Sequence, residues 1–268
     1  MQERHTDGDL YFRELARTAE KYYLDYVETC HVLTENTNIL EVGCGQGGNL
    51  YPFAQKGCRV KGIDRDRYKI TQANLSFSDP DLKKEFIAGD FFDMEEPGEQ
   101  DKFDLILVHD VIEHVSEKDK FVKHIKKFLR NDGLVFWRFP AWQMPFGGHQ
   151  QICKSRICSS FPFLHLLPAK MYESVLRSFR ESENCVDELL DIKQCAVSIE
   201  HFEGLMRSNG LRIQNRCLWF INPHYEQKFG LKPRKLFSWL SRIAYLRNFF
   251  STSCYFIADL EQALTEKE

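Results

Sequence analysis

Residues Ile39 to Gly48 read Ile-Leu-Glu-Val-Gly-Cys-Gly-Gln-Gly-Gly, and a helix-compatible segment, Asn49 to Gln55, follows. An apolar run that ends in a glycine-dense turn and leads into a helix predicts a strand, a tight loop and a helix in succession. This loop suits a nucleotide-like ligand. Glycines reach positive φ and carry no side chain, so a ligand can approach the backbone, while the first N–H groups of the next helix stay free to bind it. Glu41 stands two residues before the first glycine, where dinucleotide sites usually hold an apolar or small residue; an acid there can attract a cationic ligand group.

Further strand ends add to the pattern. The run Cys58 to Ile63 leads to Asp64, about 20 residues past the loop and placed to accept two ribose hydroxyls. Glu85 to Ala88 ends in Gly89-Asp90-Phe91, and Phe103 to Val108 ends in His109-Asp110. Helices are expected from Arg67 to Ser76 and from about Ser116 to Leu129, the latter stopped by Asn131-Asp132-Gly133 before a fifth strand, Leu134 to Phe139. Alternating βαβ units with right-handed crossovers give a parallel sheet covered on both faces, with ligands at the carboxyl ends of its strands. Pro140 opens a departure from this alternation. Regular structure resumes near Ser198, with a helix over Glu200 to Met206 stopped by Asn209-Gly210, a strand from Leu211 to Phe220 and a last strand from Ser253 to Leu260. Apolar residues from Asp9 to about His31 recur at helical spacing and predict an amphipathic N-terminal helix.

With these residues in place, the sequence resembles the class I S-adenosylmethionine-dependent methyltransferases, in the branch that holds ubiquinone, menaquinone and many small-molecule O-methyltransferases. The match is good over roughly residues 36 to 140 and looser beyond. It implies an α/β fold: a doubly wound, Rossmann-like, mostly parallel seven-stranded sheet with an antiparallel last strand, plus an inserted, mainly helical cap. The expected divisions are an N-terminal helix (1–35), a cofactor-binding core (36–139), the cap (140–197) and the remainder of the core (198–268) with a second helical excursion at about 221–250. By the same resemblance, Glu41 and the backbone of Gly43, Gly45 and Gly47 hold the methionine end of S-adenosylmethionine. Asp64 takes the ribose, Asp90 with Phe91 frames the adenine, and His109 lies beneath the methionine. The N-terminal helix packs on one sheet edge or closes over the cofactor, through Tyr11, Tyr22 and Tyr23.

Methyl transfer requires an acceptor aligned with the methyl, exclusion of water and often a base. His149, after Gly147-Gly148, is a candidate base carried by a mobile loop, since an imidazole titrating near 6.5 suits the task. His114, in the run His109-Asp110-Val111-Ile112-Glu113-His114, either serves as a base or caps the next helix. That run lacks the H-E-x-x-H spacing of a zinc helix, and Cys153 and Cys158 stand irregularly against His149 and His165, so no metal is expected. Phe161, Phe163, Leu164, Leu166, Leu167, Met171, Tyr172 and Leu176 either pack the cap onto the sheet or, with Trp142 and Met144, wall a pocket for an apolar or aromatic acceptor, expected to be methylated on oxygen.

Between Gln227 and Ala258 there is no acid, while six Lys and Arg residues punctuate an apolar series. A basic helix near 232–250 would serve as a cap element or dimer contact, or alternatively as a peripheral membrane contact. The balance of 36 basic and 39 acidic residues disfavours nucleic acid as a partner and leaves a small-molecule acceptor. Nine scattered cysteines without a C-x-x-C pair, no apolar run near 20 residues, and no signal-peptide core in Met1 to His5 give the expectation of a cytoplasmic protein. The competitors are a nicotinamide dehydrogenase with the same loop, and a catalytically inactive cofactor-binding or scaffold protein.

Overall fold

The computed structural model describes residues 8–261. The stretch Met1 to His5, with its expected lack of a signal-peptide core, lies outside them. Five strands form the parallel half of one sheet: β1 (Asn38–Val42), β2 (Arg59–Asp64), β3 (Lys84–Ala88), β4 (Phe103–His109) and β5 (Leu129–Phe139). Three more complete it: β6 (Leu211–Ile221), β7 (Arg234–Lys235) and β8 (Ser253–Leu260), in the order β3-β2-β1-β4-β5-β8-β6-β7. The β8 strand enters antiparallel between β5 and β6. The expected seven strands become eight because the chain after Gly230 turns back and Arg234–Lys235 pairs with Trp219 and Ile221.

Helix α1 (Gly8–Thr18) passes through one wide turn with π-type hydrogen bonding (Ala19–Tyr23) into α2 (Leu24–Glu28). The core then adds α3 (Tyr51–Gln55), α4 (Arg67–Ser76) and α5 (Lys118–Phe128). Asp66 starts α4 by accepting from the backbone N–H of Tyr68 at 2.9 Å. The fifth strand begins at Leu129, directly after α5, and not at Leu134. Asn131 and Asp132, read as a helix stop, instead occupy an irregular opening of β5 before regular pairing resumes at Leu134.

Both sheet faces are dry, which explains the near-continuous apolar runs of the strands. Leu40, Val42, Ile106, Val108, Val135 and Trp137 pack one way, against Phe121 and Ile125 of α5 and Phe202 and Met206 of α9 (Ile199–Ser208). Ile39, Leu105, Leu107 and Phe136 pack the other way, against Tyr23, Val27, Phe53 and Ile70. Each interleaved aromatic is a large contributor: truncating a buried Phe such as Phe202 to Ala costs ~3–5 kcal/mol.

The segment after Pro140 holds α6 (Arg156–Ser160), α7 (Ala169–Ser178) and α8 (Glu183–Gln194), which enclose a small core of their own from Cys153, Cys158, Leu164, Tyr172, Leu176, Val186 and Leu189. Ser155 and Ser182 cap α6 and α8. The basic segment near 232–250 is not the single helix expected. Pro233 precedes β7, only Ser238–Ser241 (α11, after α10, His224–Phe229) is α-helical, and Tyr245 at φ 63° breaks the chain before a 3-10 turn at Leu246–Phe250. Phe237, Trp239, Ile243 and Tyr245 stay exposed.

Candidate active site

The carboxyl ends of β1, β2 and β4 border a cleft of about 330 Å³, lined by Gly43, Asp64, Asp90, Phe91, Phe92, Val111, His114 and Phe121 among others. Gly43, Gly45 and Gly47 all have positive φ, at 72°, 53° and 78°. The loop is anchored from below by Asp64, whose Oδ2 accepts the Gly45 N–H at 2.8 Å and whose Oδ1 accepts that of Asp66 at 2.9 Å. Two backbone donors thus fix the carboxylate at the cleft wall, with a lone pair left on each oxygen for a ligand hydroxyl.

Glu41 lies beneath the loop and is fully buried. Its Oε1 accepts from the Asn49 side chain at 2.7 Å, its Oε2 has no partner, and burial pushes its carboxyl up to about 8. Asp90 caps the turn Phe91–Asp93 by accepting from the Phe92 N–H at 3.0 Å and pairs with the exposed Arg65. An exposed ion pair of this kind is weak and gives way readily to a ligand.

His109 ends β4 with its side chain 10% exposed, Nε2 2.9 Å from the Tyr23 hydroxyl and Nδ1 3.8 Å from Asp110, and burial lowers its pKa to about 4. Tyr22 bonds Glu226 at 2.7 Å and stands away from the site. Tyr11 is 40% exposed, but its hydroxyl titrates at about 12, raised by burial and then by Asp110. The α1 helix itself presses on the loop: a Cβ on Gly48 would meet Leu15 at 2.7 Å and the Phe12 carbonyl at 2.8 Å.

A charged cluster that the spacing of single residues did not reveal sits beyond β4. Arg138 of β5, 5% exposed, pairs with Asp110, which has φ 52°. Burial raises the Asp110 carboxyl, but Arg138, then His109 and His149, outweigh it and hold the group at about 2. Glu113 is buried beside it; burial, then Asp110, to which its carboxyl also hydrogen-bonds, push that carboxyl well above the usual range. The readable signal was Arg138 itself, a cation inside the apolar run Leu134 to Phe139.

His149 and His114 meet face to face, with ring centroids 5.0 Å apart and 22° between planes. The Pro145 to Gly148 turn is close-packed: a Cβ on Gly147 would fall 2.2 Å from the Trp142 carbonyl, and one on Gly148 would fall 2.2 Å from the His165 Cβ. His149 follows with φ 55° and a buried, unpartnered Nδ1. Burial, and then His114, lower its pKa to about 4, and burial also lowers that of His114. Both shifts favour the neutral ring, and for His149 they replace the titration near 6.5 of a free imidazole. None of the cap's aromatic or aliphatic residues named above lines the cleft. Leu164, Tyr172 and Leu176 fill the cap's own core, while Phe161, Phe163 and Met171 are exposed.

The sequence matches the model of a methyltransferase domain over residues 33–198, more than half of the chain. The chain belongs to this methyltransferase family. Among curated relatives, the ubiquinone biosynthesis O-methyltransferase of Bartonella quintana is 32% identical over 127 residues, covering 45% of this chain and 50% of that protein. The enzyme of the same name from Pelagibacter ubique is 31% identical over 102 residues, covering 38% and 41%. The chain thus spans about half the length of the curated relatives it matches. Among solved structures, a S-adenosylmethionine-dependent methyltransferase from Clostridium acetobutylicum superposes with TM-score 0.56 at 12% identity over 92% of each chain. The magnesium protoporphyrin IX methyltransferase of Synechocystis with bound SAH gives 0.53 at 14%, covering 92% of this chain and 84% of that one. These share the fold. The glycine loop, the anchored Asp64, the aromatic Phe91 and Phe92 and the unpartnered Glu41 Oε2 fit the parts of S-adenosylmethionine, which is the methyltransferase's cofactor.

Proposed function

We propose that the protein transfers a methyl group from S-adenosylmethionine to the oxygen of a small apolar or aromatic acceptor. The observation that carries this reading is the meeting of two elements at one point: His114 lines the cofactor cleft and bears His149 stacked on its face. The relatives' name, ubiquinone biosynthesis O-methyltransferase, supports oxygen as the acceptor atom.

When bound, the cofactor supplies a sulfonium-activated methyl group. Asp64 holds the ribose hydroxyls through lone pairs left by the Gly45 and Asp66 N–H groups, and the loop backbone with Glu41 receives the amino-acid end. Phe91 and Phe92 flank the adenine, and Asp90 takes its amine by releasing Arg65. An imidazole nitrogen of His114, its ring held by the stacked His149, accepts the acceptor's O–H and orients its lone pair toward the methyl. Packing of α1 over the loop excludes water from the cofactor's far side. The cap, residues 140–197, carries the acceptor side and thereby the selectivity. The exposed Phe237, Trp239 and Tyr245, set among Arg234, Lys235 and Arg242, form a peripheral membrane contact for an enzyme whose acceptor is lipid-like; binding to anionic but not neutral vesicles, lost in Trp239→Ser with Phe237→Ser, would test it.

The test of the main reading is incubation with S-adenosylmethionine and a panel of phenols, catechols and hydroquinones, scored by mass spectrometry for methylated product. Methylation lost in Asp64→Ala is expected. Cofactor binding without product across the panel and across amine acceptors would favour the inactive scaffold; binding of NADH alone would overturn the family chemistry.

A further inference from the structure

Away from the cleft, the cap gathers thiols that methyl transfer does not use. Cys153 follows the 3-10 turn Gln150–Ile152, Cys158 lies on α6, and Cys185 sits in the first turn of α8. Cys153 and Cys158 are buried, Cys185 is half-buried, and all three are free thiols. Cys153 and Cys185 hydrogen-bond each other, thiol to thiol. Glu181, buried at the entry to α8, accepts the N–H groups of Lys154 and Ser155 at 2.9 and 2.8 Å, one on each oxygen, so each oxygen keeps a lone pair. One ligand atom from each of Cys153, Glu181 and Cys185 falls within 4.8 Å of the others. The Tyr172 hydroxyl is fully buried without a hydrogen-bond partner, and its titration is raised by burial and then by the Cys153, Cys185 and Cys158 thiols, which it faces. Buried polar atoms are nearly always satisfied, so an orphaned hydroxyl beside two thiols and a carboxylate marks the place of a bound group.

We propose that Cys153, Glu181 and Cys185 form a structural zinc site inside the cap. Two thiolates and one carboxylate suit this borderline-soft ion, whereas Mg²⁺ and Ca²⁺ favour all-oxygen shells. Zn–S bonds of about 2.3 Å at tetrahedral angles set two sulfurs about 3.8 Å apart, so ligand atoms within 4.8 Å of one another need to close by about 1 Å at most. A rotamer change of the half-buried Cys185 supplies that movement. The two backbone N–H groups fix the Glu181 carboxylate from behind, as supporting partners do for metal ligands. A water in the fourth position gives the Tyr172 hydroxyl the partner it lacks. As each S–Zn bond forms, the thiol proton passes to solvent.

The site ties the chain ahead of α6 to the first turn of α8. The cap's own core is small, and small cores gain most from a staple of this kind. Along the sequence, Cys153 and Cys158 had only His149 and His165 as neighbours of ligating type, and that spacing spoke against a metal. Glu181 and Cys185 join Cys153 only through the return of the chain from α7 into α8. None of the three ligands lines the cofactor cleft, so this inference goes beyond the methyl-transfer reading and does not depend on it.

The experiment is titration of reduced, chelator-stripped protein with Co²⁺, followed by calorimetry and absorption, then displacement by Zn²⁺, with SAH binding measured on the same samples. One Co²⁺ per chain is expected, with a thiolate-to-metal charge-transfer band that Zn²⁺ abolishes. Affinity should be at least about 100-fold weaker in Cys153→Ser and Cys185→Ser, since loss of a mere supporting partner already costs about 10- to 100-fold. Zn²⁺ should raise the melting temperature of the wild type and of neither variant. Cys30→Ser, at an exposed thiol elsewhere, should bind as the wild type does. Should Cys153→Ser fold poorly, Cys185→Ser, at its half-buried position, must show the loss alone. No uptake by the reduced wild type, a spectrum without thiolate bands, or uptake indifferent to both substitutions would overturn the site. Co²⁺ uptake with thiolate bands but no SAH binding would leave the zinc site standing and remove the methyl-transfer reading.

Discussion

Replacing Asp64 with Ala tests the cofactor site most directly, because the carboxylate has two separable jobs. Toward the protein it accepts the Gly45 and Asp66 N–H groups at 2.8 and 2.9 Å. Toward the cofactor it offers one lone pair per oxygen to the ribose. Each hydrogen bond to a charged group contributes ~1.5–3 kcal/mol, so two lost ribose bonds remove at least ~3 kcal/mol, or roughly a 100-fold rise in Kd for SAH. The two orphaned backbone donors face the solvent-filled cleft and recover water, so the fold is expected to lose only about 1–2 kcal/mol, or ~2–8 °C in Tm. Asp64→Asn, which keeps one acceptor oxygen, should fall between, near tenfold. Calorimetric titration with SAH and a thermal melt of each variant provide the readout. A Kd within about fivefold of wild type for a folded Asp64→Ala would refute the assignment of Asp64 to the ribose.

Arg138→Met breaks a buried ion pair and leaves Asp110 charged without its partner, which should cost ~3–5 kcal/mol; a melt within 2 °C of wild type would contradict the pairing. His109, His149 and His165 are held at about 4 and His224 at about 3, chiefly by burial, so the unfolded chain binds more protons than the folded one below the ordinary value near 6.5. Stability is therefore expected to fall as pH drops from 6.5 to 4, checked by denaturant melts across that window, and His224→Phe should flatten the slope. Gly148→Ala drives a Cβ into His165 and should destabilise by ~1–3 kcal/mol while displacing His149, so that SAH still binds but turnover falls at least tenfold.

The sheet was legible because its strands are buried on both faces and are punctuated by residues with a definite backbone preference. The glycine loop, Asp64 and the Gly89-Asp90-Phe91 turn fall where the strand ends predicted them. The His114 and His149 contact was not legible as a contact, since β5 and the Pro140 turn separate them in sequence and only the close-packed Gly147-Gly148 turn brings the rings together. Glu113 lies buried near Asp110 and Arg138, a grouping that no local period encodes. The basic segment misled for a related reason. Its alternation of cations and apolar residues has helical spacing, but Pro233 and the positive φ at Tyr245 divide it into short turns.

The wide turn at Ala19–Tyr23 has a consequence for how one helix serves two neighbours. An α-helix advances about 100° per residue, so an uninterrupted helix from Gly8 to Glu28 that aimed Phe12 and Leu15 at the glycine loop would carry a fixed phase to its far end. One residue of extra winding resets that phase and directs Tyr23 onto His109. The segment behaves as a two-faced key whose cuts are offset by a single residue. Deleting Ala19 or Glu20 would leave its length and composition nearly unchanged, yet only the half over the loop or the half over His109 could seat at a time.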